Sequence, residues 1–413
     1  MPREVVVTGL GMISPVGKNV ADGWDSIVAG RSGIGLISRF DASQYEYPIA
    51  GEVDGFEPSD HVEAKILRRI DLSTAFAIAS AQEAVADAQL EINAERPDSV
   101  GILLGTGIGG AHLMVEQQRI LEEKGPRRVS PFLITSMLPD TATGLVAIAL
   151  GARGPNFAVT AACATGGAAV GEAAETIARG EAEVMIAGGF EAPLQPIYYA
   201  GFNAMKALAT HEDPTQAVRP FDKDRNGFIL GEGAGTLILE SLEHAQARGA
   251  KIYARWMGAA TSNDAFDMVA AAEDGRGINE AMRRALSRAN LTPDRISYIN
   301  AHGTGTPLND RVETRAIRDV FGEDADRVMV SSTKAMHGHM MGASGAVEAV
   351  ICVLACKHGI APPTINYTTP DPDCDLDYVP NIAREAPIEY AMSTSVGLGG
   401  HNSALIFGHW GGD

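Results

Sequence analysis

One cysteine, two histidines and a lysine lie in turns between short apolar runs and small-residue segments. Cys163 lies in AVTAACATGG and His302 in AHGTGTP, while Lys334 and His339 share SSTKAMHGHMMGASG. A glycine-rich segment around Leu398, VGLGGHN, offers free backbone N–H groups just before an apolar run. Together these groups could supply a nucleophile, hydrogen-bond donors for a developing enolate and an oxyanion hole. The sequence therefore indicates acyl transfer.

The positions of Cys163 and His302 relative to the predicted elements support this reading. Cys163 precedes an Ala-rich helix predicted over 166–179, and the dipole and free N–H groups at a helix N-terminus favour a thiolate, the nucleophilic form. Taken alone, Cys163 could equally be a buried, inert side chain. His302 follows the strand predicted over 296–300, at the end where open α/β sheets bind ligands.

Strand-like and helix-like segments alternate along the whole chain, which predicts an α/β protein. The predicted strands are 5–8, 100–104, 184–187, 236–239, 296–300, 328–331 and 404–407, and the predicted helices include 73–89, 166–179, 277–289 and 345–358. The strand, turn and Ala-rich helix around Cys163 recur over 328–358. We therefore expect two similar halves whose turns lie close together.

The composition of the chain disfavours some kinds of binding partner and favours one cellular compartment. The chain has 413 residues, and its 33 basic and 52 acidic side chains give a net charge of −19, which disfavours nucleic acid and anionic membrane as partners. Four cysteines form no disulfide framework and fit a reducing, cytoplasmic setting. We expect no signal or transit peptide, and no hydrophobic run that approaches the roughly 20 residues of a membrane span.

Two further patterns suggest other chemistry but do not support it. GTGIGG at 105–110 follows a strand and matches a dinucleotide-binding pattern, but a charged helix follows it, without the acidic residue expected after a second strand. Cys352 and Cys356 lie four residues apart on an apolar helix, where small buried side chains are the favoured interpretation. No metal site is predicted, because no histidine or cysteine pair completes a ligand set.

Several long motifs in register, from Val5 to Phe407, identify a resemblance to the β-ketoacyl-acyl-carrier-protein synthases of the thiolase-like condensing enzyme superfamily, closest to the elongating type II enzymes. These motifs are VTGLG, ACATGG, RPFDKDRNGFILGEGAG, NAHGTGTP, SSTKAMHGHMMGASGAVE, PPTIN and GLGGHN. The resemblance implies a five-layered αβαβα fold of two similar halves, usually found as a dimer. Residues 1–251 would carry the nucleophilic cysteine and residues 252–413 the two catalytic histidines.

The resemblance also implies the reaction and the role of each site residue. Cys163 would take an acyl group from the carrier's phosphopantetheine, and His302 and His339 would stabilise the enolate formed when malonyl-carrier protein loses carbon dioxide. That enolate would attack the acyl-cysteine, so no metal or redox cofactor is implied. The other implied site residues are Lys334 and Glu348 in support of the histidines, the N–H groups of Cys163 and Leu398 as oxyanion hole, and Thr304, Thr306, Ile108, Phe202 and Gly399 as substrate-binding residues.

Two basic clusters stand out on this acidic chain. They are Lys65, Arg68 and Arg69, on one face of a predicted helix, and Lys124, Arg127 and Arg128. Local positive charge on an acidic protein favours docking of an acidic partner, such as acyl carrier protein or malonyl-carrier protein. Ordinary solvated helix charges are the alternative interpretation.

Three positions depart from the elongating enzymes: Leu398 replaces a phenylalanine in the gating loop, His337 replaces a threonine or small residue, and Asp267 replaces a histidine. Leu398 is expected to change which acyl chains enter, and His337 either perturbs the histidine pair or faces outward. Other segments, including DPDCDLDYVP, are similar to ketosynthase subunits of type II polyketide or polyene systems. A fatty-acid homodimer and a heterodimer with a chain-length subunit therefore both stay open.

Two other classes are disfavoured. A thiolase acting on acyl-CoA would use a second cysteine where this chain has His339. A chain-length or scaffold subunit without activity would lack the nucleophile, whereas Cys163 and both histidines are present.

Overall fold

The computed structural model describes residues 2–92 and 96–412 and confirms the α/β class. The strands are β1 (Val5–Ile13), β2 (Gly35–Leu36), β3 (Ile49–Ala50), β4 (Val100–Gly105), β5 (Asn156–Val159), β6 (Val184–Glu191), β7 (Gly233–Ser241), β8 (Ala254–Asn263), β9 (Tyr298–Asn300), β10 (Met329–Ser331), β11 (Ile360–Ala361), β12 (Arg384–Glu385), β13 (Tyr390–Gly397) and β14 (His401–His409). The helices are α1 (Val20–Val28), α2 (Ala64–Leu67), α3 (Leu72–Asp87), α4 (Ala111–Lys124), α5 (Leu133–Met137), α6 (Thr141–Leu150), α7 (Thr165–Ala178), α8 (Pro196–Ala204), α9 (Leu242–Ala247), α10 (Arg276–Ala289), α11 (Pro307–Phe321), α12 (Lys334–His337) and α13 (Ser344–His358).

Ten strands form one sheet whose two halves have the same topology. The order β5-β4-β6-β7-β1 of the first half recurs as β10-β9-β13-β14-β8 in the second, with the same pattern of parallel and antiparallel neighbours. The halves join where β1 pairs with the start of β8 over three residues. This repeat confirms the predicted doubling. We propose the boundary between residues 251 and 252, in the connection between α9 and β8.

Helices complete the five layers expected from the resemblance. α3 and α6 cover the outer face of the first half, and α10 and α11 cover the outer face of the second. α7 and α13 lie between the halves and contact strands of both. Their backbones approach closely, because a Cβ atom added to Gly166 would lie 2.5 Å from the backbone nitrogen of Ala346. The two central helices are therefore the elements that bring the ends of both halves together.

The helix α13 and the turn before it form a long apolar segment. The 18 residues Met341–His358 have a mean hydropathy of 1.3, long and apolar enough to cross a membrane by length and composition alone. The expectation that no hydrophobic run approaches that length is therefore wrong. The segment is 89% buried inside the fold, where it packs between the two halves of the sheet, as a core helix does.

Candidate active site

Cys163 lies in the connection from β5 to α7, two residues before the helix begins. The turn is tightly specified: Ala162 has a φ of 49°, in the left-handed region, and the Ala161 N–H donates to Thr165 Oγ1 at 2.7 Å. The Cys163 side chain is only 4% exposed. The sequence folds in this way because small residues on both sides of the cysteine allow the helix to start against neighbouring backbone.

Burial controls the protonation of Cys163. It raises the pKa of the thiol to about 11, although the backbone N–H of Leu398 and the positive charge of Lys334 act in the opposite direction. The sequence predicts only that the helix N-terminus favours a thiolate, and in the free protein the effect of burial on the thiol pKa outweighs the backbone N–H groups that act in that direction. The backbone N–H groups of Leu398 and of Cys163 itself both contact the sulfur, so two backbone donors are available to a group bound there.

His302 and His339 face each other across the same cavity. Their ring centroids are 5.3 Å apart and their planes are nearly perpendicular. His339 Nδ1 lies 3.0 Å from Ser344 Oγ, whereas His302 Nδ1 has no hydrogen-bond partner among the described residues. Burial, and then the charge of Lys334, hold the pKa of both imidazoles well below the usual value. Both rings are therefore neutral at physiological pH, and each can donate one hydrogen bond to an oxygen.

Glu313 of α11 fixes the turn that carries His302. Its carboxylate accepts the backbone N–H groups of His302 and Gly303, both at 2.7 Å, and the Thr394 hydroxyl at 2.8 Å. Burial raises the pKa of Glu313, and these donors oppose that shift. Sequence reasoning missed this positioning residue, because an acidic residue in a polar helix gives no signal until the fold brings it to the turn.

A buried ion pair lies behind the histidines. Lys334 of α12 and Glu348 of α13 contact each other with almost no exposure to solvent. Burial raises the pKa of Glu348 to about 7, against the effect of Lys334. The nearby His337 is fully buried, with Nδ1 2.8 Å from the Gly338 carbonyl oxygen and Nε2 3.0 Å from Thr333 Oγ1. The outward-facing alternative for His337 is therefore wrong.

The cavity that unites these groups has a volume of about 430 Å³. Its lining includes Cys163, both histidines, and four other residues that the sequence indicated, which are Thr304, Thr306, Phe202 and Leu398. Ile108 and Gly399 do not line it, and their substrate-binding roles stay predictions. Phe228, which packs edge-on against His339, and the exposed Met205 and Lys206 also line it and were missed by sequence reasoning.

The glycine-rich loop 105–110 surrounds a carboxylate of the protein itself. Glu191, at the end of β6, accepts the N–H groups of Gly107 at 2.7 Å, Ile108 at 3.2 Å and Gly342 at 3.0 Å. Loops with several convergent N–H groups bind anions. Here the anion is a side chain, which explains why the dinucleotide pattern occurs in a chain whose following helix does not fit such a site.

The turns that precede α7 and α13 are equivalent. Met341 lies three residues before α13 and has a φ of 47°, as Ala162 lies three residues before α7 with a φ of 49°. Cys163 in the first half therefore corresponds to Gly342 in the second. The second connection is longer and contains Lys334, His337 and His339. A Cβ atom added to Gly107 would lie 3.3 Å from the Ala162 carbonyl oxygen and 3.5 Å from the Gly342 nitrogen, which confirms that the two turns lie close together.

The structure changes the predicted form of the first basic cluster and locates the second. The helix predicted to display Lys65, Arg68 and Arg69 on one face is wrong, because α2 ends at Leu67. Arg69 instead places its guanidinium 4.0 Å from the ring centroid of Phe132. Lys124 ends α4, and Arg127 and Arg128 lie in a short 3₁₀ turn. All six side chains are at least partly exposed and lack an ion-pair partner among the residues that the structure describes.

The family models and the curated relatives that match this chain all indicate the same family. Residues 2–245 match the family model described as Beta-ketoacyl synthase, N-terminal domain, and residues 253–368 match Beta-ketoacyl synthase, C-terminal domain. The chain is 48% identical to "3-oxoacyl-(acyl-carrier-protein) synthase 2" of Staphylococcus aureus (strain COL) and 49% identical to the protein of that name in Synechocystis, over 98% of each chain in both cases.

Solved structures of ketosynthases have the same fold as this chain. "The ishigamide ketosynthase/chain length factor" has a TM-score of 0.93 and 38% identity over 100% of both chains. A type II polyketide ketosynthase in complex with its acyl-carrier protein has a TM-score of 0.92 and 35% identity, over 99% of this chain and 100% of that one. The fold and site thus define a thiolase-like condensing enzyme. The chain belongs to the β-ketoacyl synthase family, whose members are acyltransferases.

The described residues also bear on metal binding and on the state of the cysteines. Within 2–92 and 96–412, no group of three or more His, Cys, Asp or Glu side chains is placed to hold a metal ion. All four cysteines are free and buried.

The high pKa of Cys163 predicts how the thiol reacts as the pH changes. Below a pKa of about 11, the thiolate fraction increases as the pH rises. Alkylation of Cys163 by iodoacetamide should therefore accelerate roughly tenfold per pH unit from about pH 7 to about pH 9. Intact mass with peptide mapping measures the rate, and the buried Cys352 serves as an internal unreactive control. A rate that levels off near neutral pH would contradict this expectation.

Proposed function

We propose that this chain catalyses the decarboxylative Claisen condensation of an acyl group on Cys163 with malonyl-carrier protein. The observation that carries the proposal is the single cavity lined by Cys163, His302 and His339, with the Leu398 N–H at the sulfur. The product is a 3-oxoacyl-carrier protein, which is the product that appears in the names of the curated relatives.

The first half-reaction loads the cysteine. The Cys163 sulfur adds to the thioester carbonyl of an acyl-carrier protein, and the oxyanion accepts hydrogen bonds from the N–H groups of Cys163 and Leu398. Collapse of this adduct expels the phosphopantetheine sulfur, which takes up the proton that the thiol released. Because the thiol is protonated at neutral pH, proton loss accompanies attack rather than preceding it.

The second half-reaction forms the carbon–carbon bond. The malonyl carboxylate leaves as carbon dioxide, and the electron pair moves onto the thioester to give an enolate. Neutral His302 and His339 donate hydrogen bonds to the enolate oxygen, which strengthen as negative charge develops. The enolate carbon attacks the acyl-Cys163 carbonyl, and the cysteine sulfur leaves and takes a proton from solvent. The acyl donor and the malonyl group both arrive on phosphopantetheine, so no separate cofactor takes part.

Docking of the carrier protein is supported by exposed cations. Lys206 lies at the mouth of the cavity, next to the exposed Met205. With the clusters around Arg68 and Arg127, it provides positive charge on a chain whose net charge is −19. An acidic carrier would gain orientation from these side chains at the point where its phosphopantetheine enters.

A second chain is proposed to cover the face formed by β5 and α4–α6. The strand β5 is an edge of the sheet, paired only with β4, and unpaired edges are usually covered. Large apolar side chains are exposed there, which are Met114, Val115, Ile134, Leu138, Ile148 and Phe157. We propose a homodimer, with a heterodimer as the alternative that the name of the ishigamide ketosynthase/chain length factor suggests. A reducing, cytoplasmic setting is proposed from the free cysteines.

Fatty-acid elongation is the proposed pathway, because both curated relatives are named as 3-oxoacyl-(acyl-carrier-protein) synthases. A type II polyketide or polyene pathway is the second candidate, favoured by the solved structure of a type II polyketide ketosynthase and by that of a ketosynthase with a chain length factor.

Intact-mass analysis tests the condensing function. The purified protein is incubated with malonyl-carrier protein and a panel of acyl-carrier proteins that runs from short saturated to polyunsaturated chains. We expect acylation of Cys163 followed by a 3-oxoacyl product. Elongation of saturated chains by this chain alone supports the fatty-acid pathway, and activity only with a co-purified chain-length subunit supports the other. Failure of Cys163 to acylate with any chain would reject the proposal.

A further inference from the structure

His337 is a buried polar side chain that the proposed reaction does not use. It ends α12, two residues before His339, and both of its ring nitrogens have a hydrogen-bond partner within the protein. Burial, and then the charge of Lys334, lower the pKa of His337 to about 3, so the ring is neutral at physiological pH. A buried polar side chain with all its partners in place restricts the conformation of the backbone around it.

The contact with Gly338 fixes the tautomer of the His337 ring. Nδ1 lies 2.8 Å from the Gly338 carbonyl oxygen, which can only accept, so Nδ1 carries the proton and donates. Nε2 is then the unprotonated nitrogen, and it accepts the hydroxyl of Thr333 at 3.0 Å. The ring thus links the residue before Lys334 to the residue before His339.

The backbone on both sides of His339 is held in place. The Gly338 carbonyl accepts from His337 Nδ1, and the His339 N–H of the same peptide unit donates to the Ile229 carbonyl at 2.6 Å. The His339 carbonyl accepts from the Gly231 N–H at 2.9 Å. Because peptide units are planar, fixing the units before and after His339 fixes the direction in which its side chain leaves the backbone. The contact from His337 is the only one of these three that a side chain supplies.

Thr333 extends this arrangement to the other histidine. Its hydroxyl lies 3.4 Å from Nδ2 of Asn300, which ends β9 two residues before His302. The hydroxyl gives its proton to His337, and its lone pairs can accept from the amide. One chain of hydrogen bonds therefore joins the turns that carry His302 and His339.

We propose that His337 is a positioning residue, which holds His339 at the distance and angle from His302 that the enolate oxygen requires. The two rings whose spacing it would set have centroids 5.3 Å apart. This inference rests on the proposed condensing function and concerns only the steps in which the enolate forms and reacts. His337 does not line the cavity, so it acts through the backbone of His339 and touches no substrate.

Separate measurement of the two half-reactions tests this role. His337→Phe keeps a ring in the same place but removes both hydrogen bonds. We expect kcat for carbon dioxide release from malonyl-carrier protein to fall by about 10- to 100-fold with little change in KM, because small displacements of a group at the reacting centre have effects of that size. Loading of Cys163 depends on the N–H groups of Cys163 and Leu398, in other elements, and should stay within about threefold of the wild-type rate. A general loss of structure would lower both rates together.

Two amide variants separate the two contacts of the ring. His337→Asn places an N–H donor near the position of Nδ1, and His337→Gln places an oxygen acceptor near the position of Nε2. The Gly338 carbonyl belongs to the peptide unit that adjoins His339. His337→Asn should therefore recover more of the carbon dioxide release than His337→Gln does, and a His337→Asn rate no higher than that of His337→Phe would contradict the inference.

Thr333→Val is a second route to the same test, because it removes only the hydroxyl that Nε2 accepts. It should lower carbon dioxide release by about threefold to tenfold, the effect of one hydrogen bond, and cause little further loss when added to His337→Phe. Thr176→Val is the matched control. It removes a buried hydroxyl that donates to the Glu172 carbonyl at 2.9 Å within α7, and it should leave both half-reactions unchanged.

The outcomes separate this inference from the proposed function. Full carbon dioxide release in His337→Phe, or equal losses in both half-reactions, overturns the inference and leaves the condensing function standing. If His337→Phe does not fold, Thr333→Val decides in the same way. Absence of 3-oxoacyl product from the wild-type protein rejects the condensing function itself.

Discussion

Replacing Cys163 with alanine should reduce the formation of 3-oxoacyl product by more than about 1000-fold, because the acyl group then has no nucleophile to hold it. His302 and His339 are unchanged in this variant, so loss of carbon dioxide from malonyl-carrier protein should continue. Product formation is measured by intact mass of the carrier protein, and carbon dioxide release is measured separately. The split between the two readouts distinguishes a missing nucleophile from a misfolded protein.

Cys352→Ala is the matched control for this variant. Cys352 is also a fully buried cysteine, but it lies in the middle of α13, where its sulfur lies 3.6 Å from the Met392 carbonyl oxygen. Its replacement removes one small apolar group from the core, so condensation should stay within about threefold of the wild-type rate. Unchanged condensation in Cys163→Ala would show that another residue carries the acyl group.

Replacing Lys334 with methionine should destabilise the protein by about 3–5 kcal/mol, because it leaves the Glu348 carboxylate buried without a cation. The effect should depend on pH. Burial already raises the pKa of Glu348 to about 7 from 4.5, and loss of Lys334 raises it further. The folded variant then binds a proton that the unfolded chain releases, so its stability falls as the pH rises above about 4.5.

Urea unfolding at several pH values measures both parts of this prediction. Adding Glu348→Gln to Lys334→Met should remove the extra pH dependence and recover part of the lost stability. Arg327→Met is the control, since it breaks an ion pair with Asp324 in which the Arg327 side chain is 81% exposed, and it should cost no more than about 0.5 kcal/mol. Equal losses in Lys334→Met and Arg327→Met would show that the buried pair has no special role in stability.

Much of the fold could be predicted from the sequence, because its central elements have strong local patterns. The predicted helices correspond to α3, α7, α10 and α13 to within two residues at each end. β8, β13 and α11 were missed. β8 mixes exposed and buried residues without regular alternation, and α11 begins with Pro307 and carries charges along much of its length. For these elements, the neighbours supplied by the fold decide the structure.

The residues of the candidate site also form two groups, those that the sequence indicated and those that only the structure revealed. Cys163, His302 and His339 were identified because each lies in a distinctive small-residue motif. Glu313 and Glu191 were not, because each acts through backbone N–H groups that are distant in sequence or in another element. Burial, which a sequence does not display, decided the protonation of Cys163 against the local effect of the helix. Local sequence patterns thus indicate the reactive side chains, whereas the tertiary structure is needed to identify the groups that position them.

The equivalence of Cys163 and Gly342 has a consequence for how such a protein could arise. A chain built twice on one plan can descend from a single half that paired with an identical copy of itself. In that ancestor, the two turns at the centre would have carried the same residues. After the halves were joined, one turn could keep a thiol while the other lengthened and acquired Lys334 and His339. Two turns that were once identical would then contribute different side chains to one site.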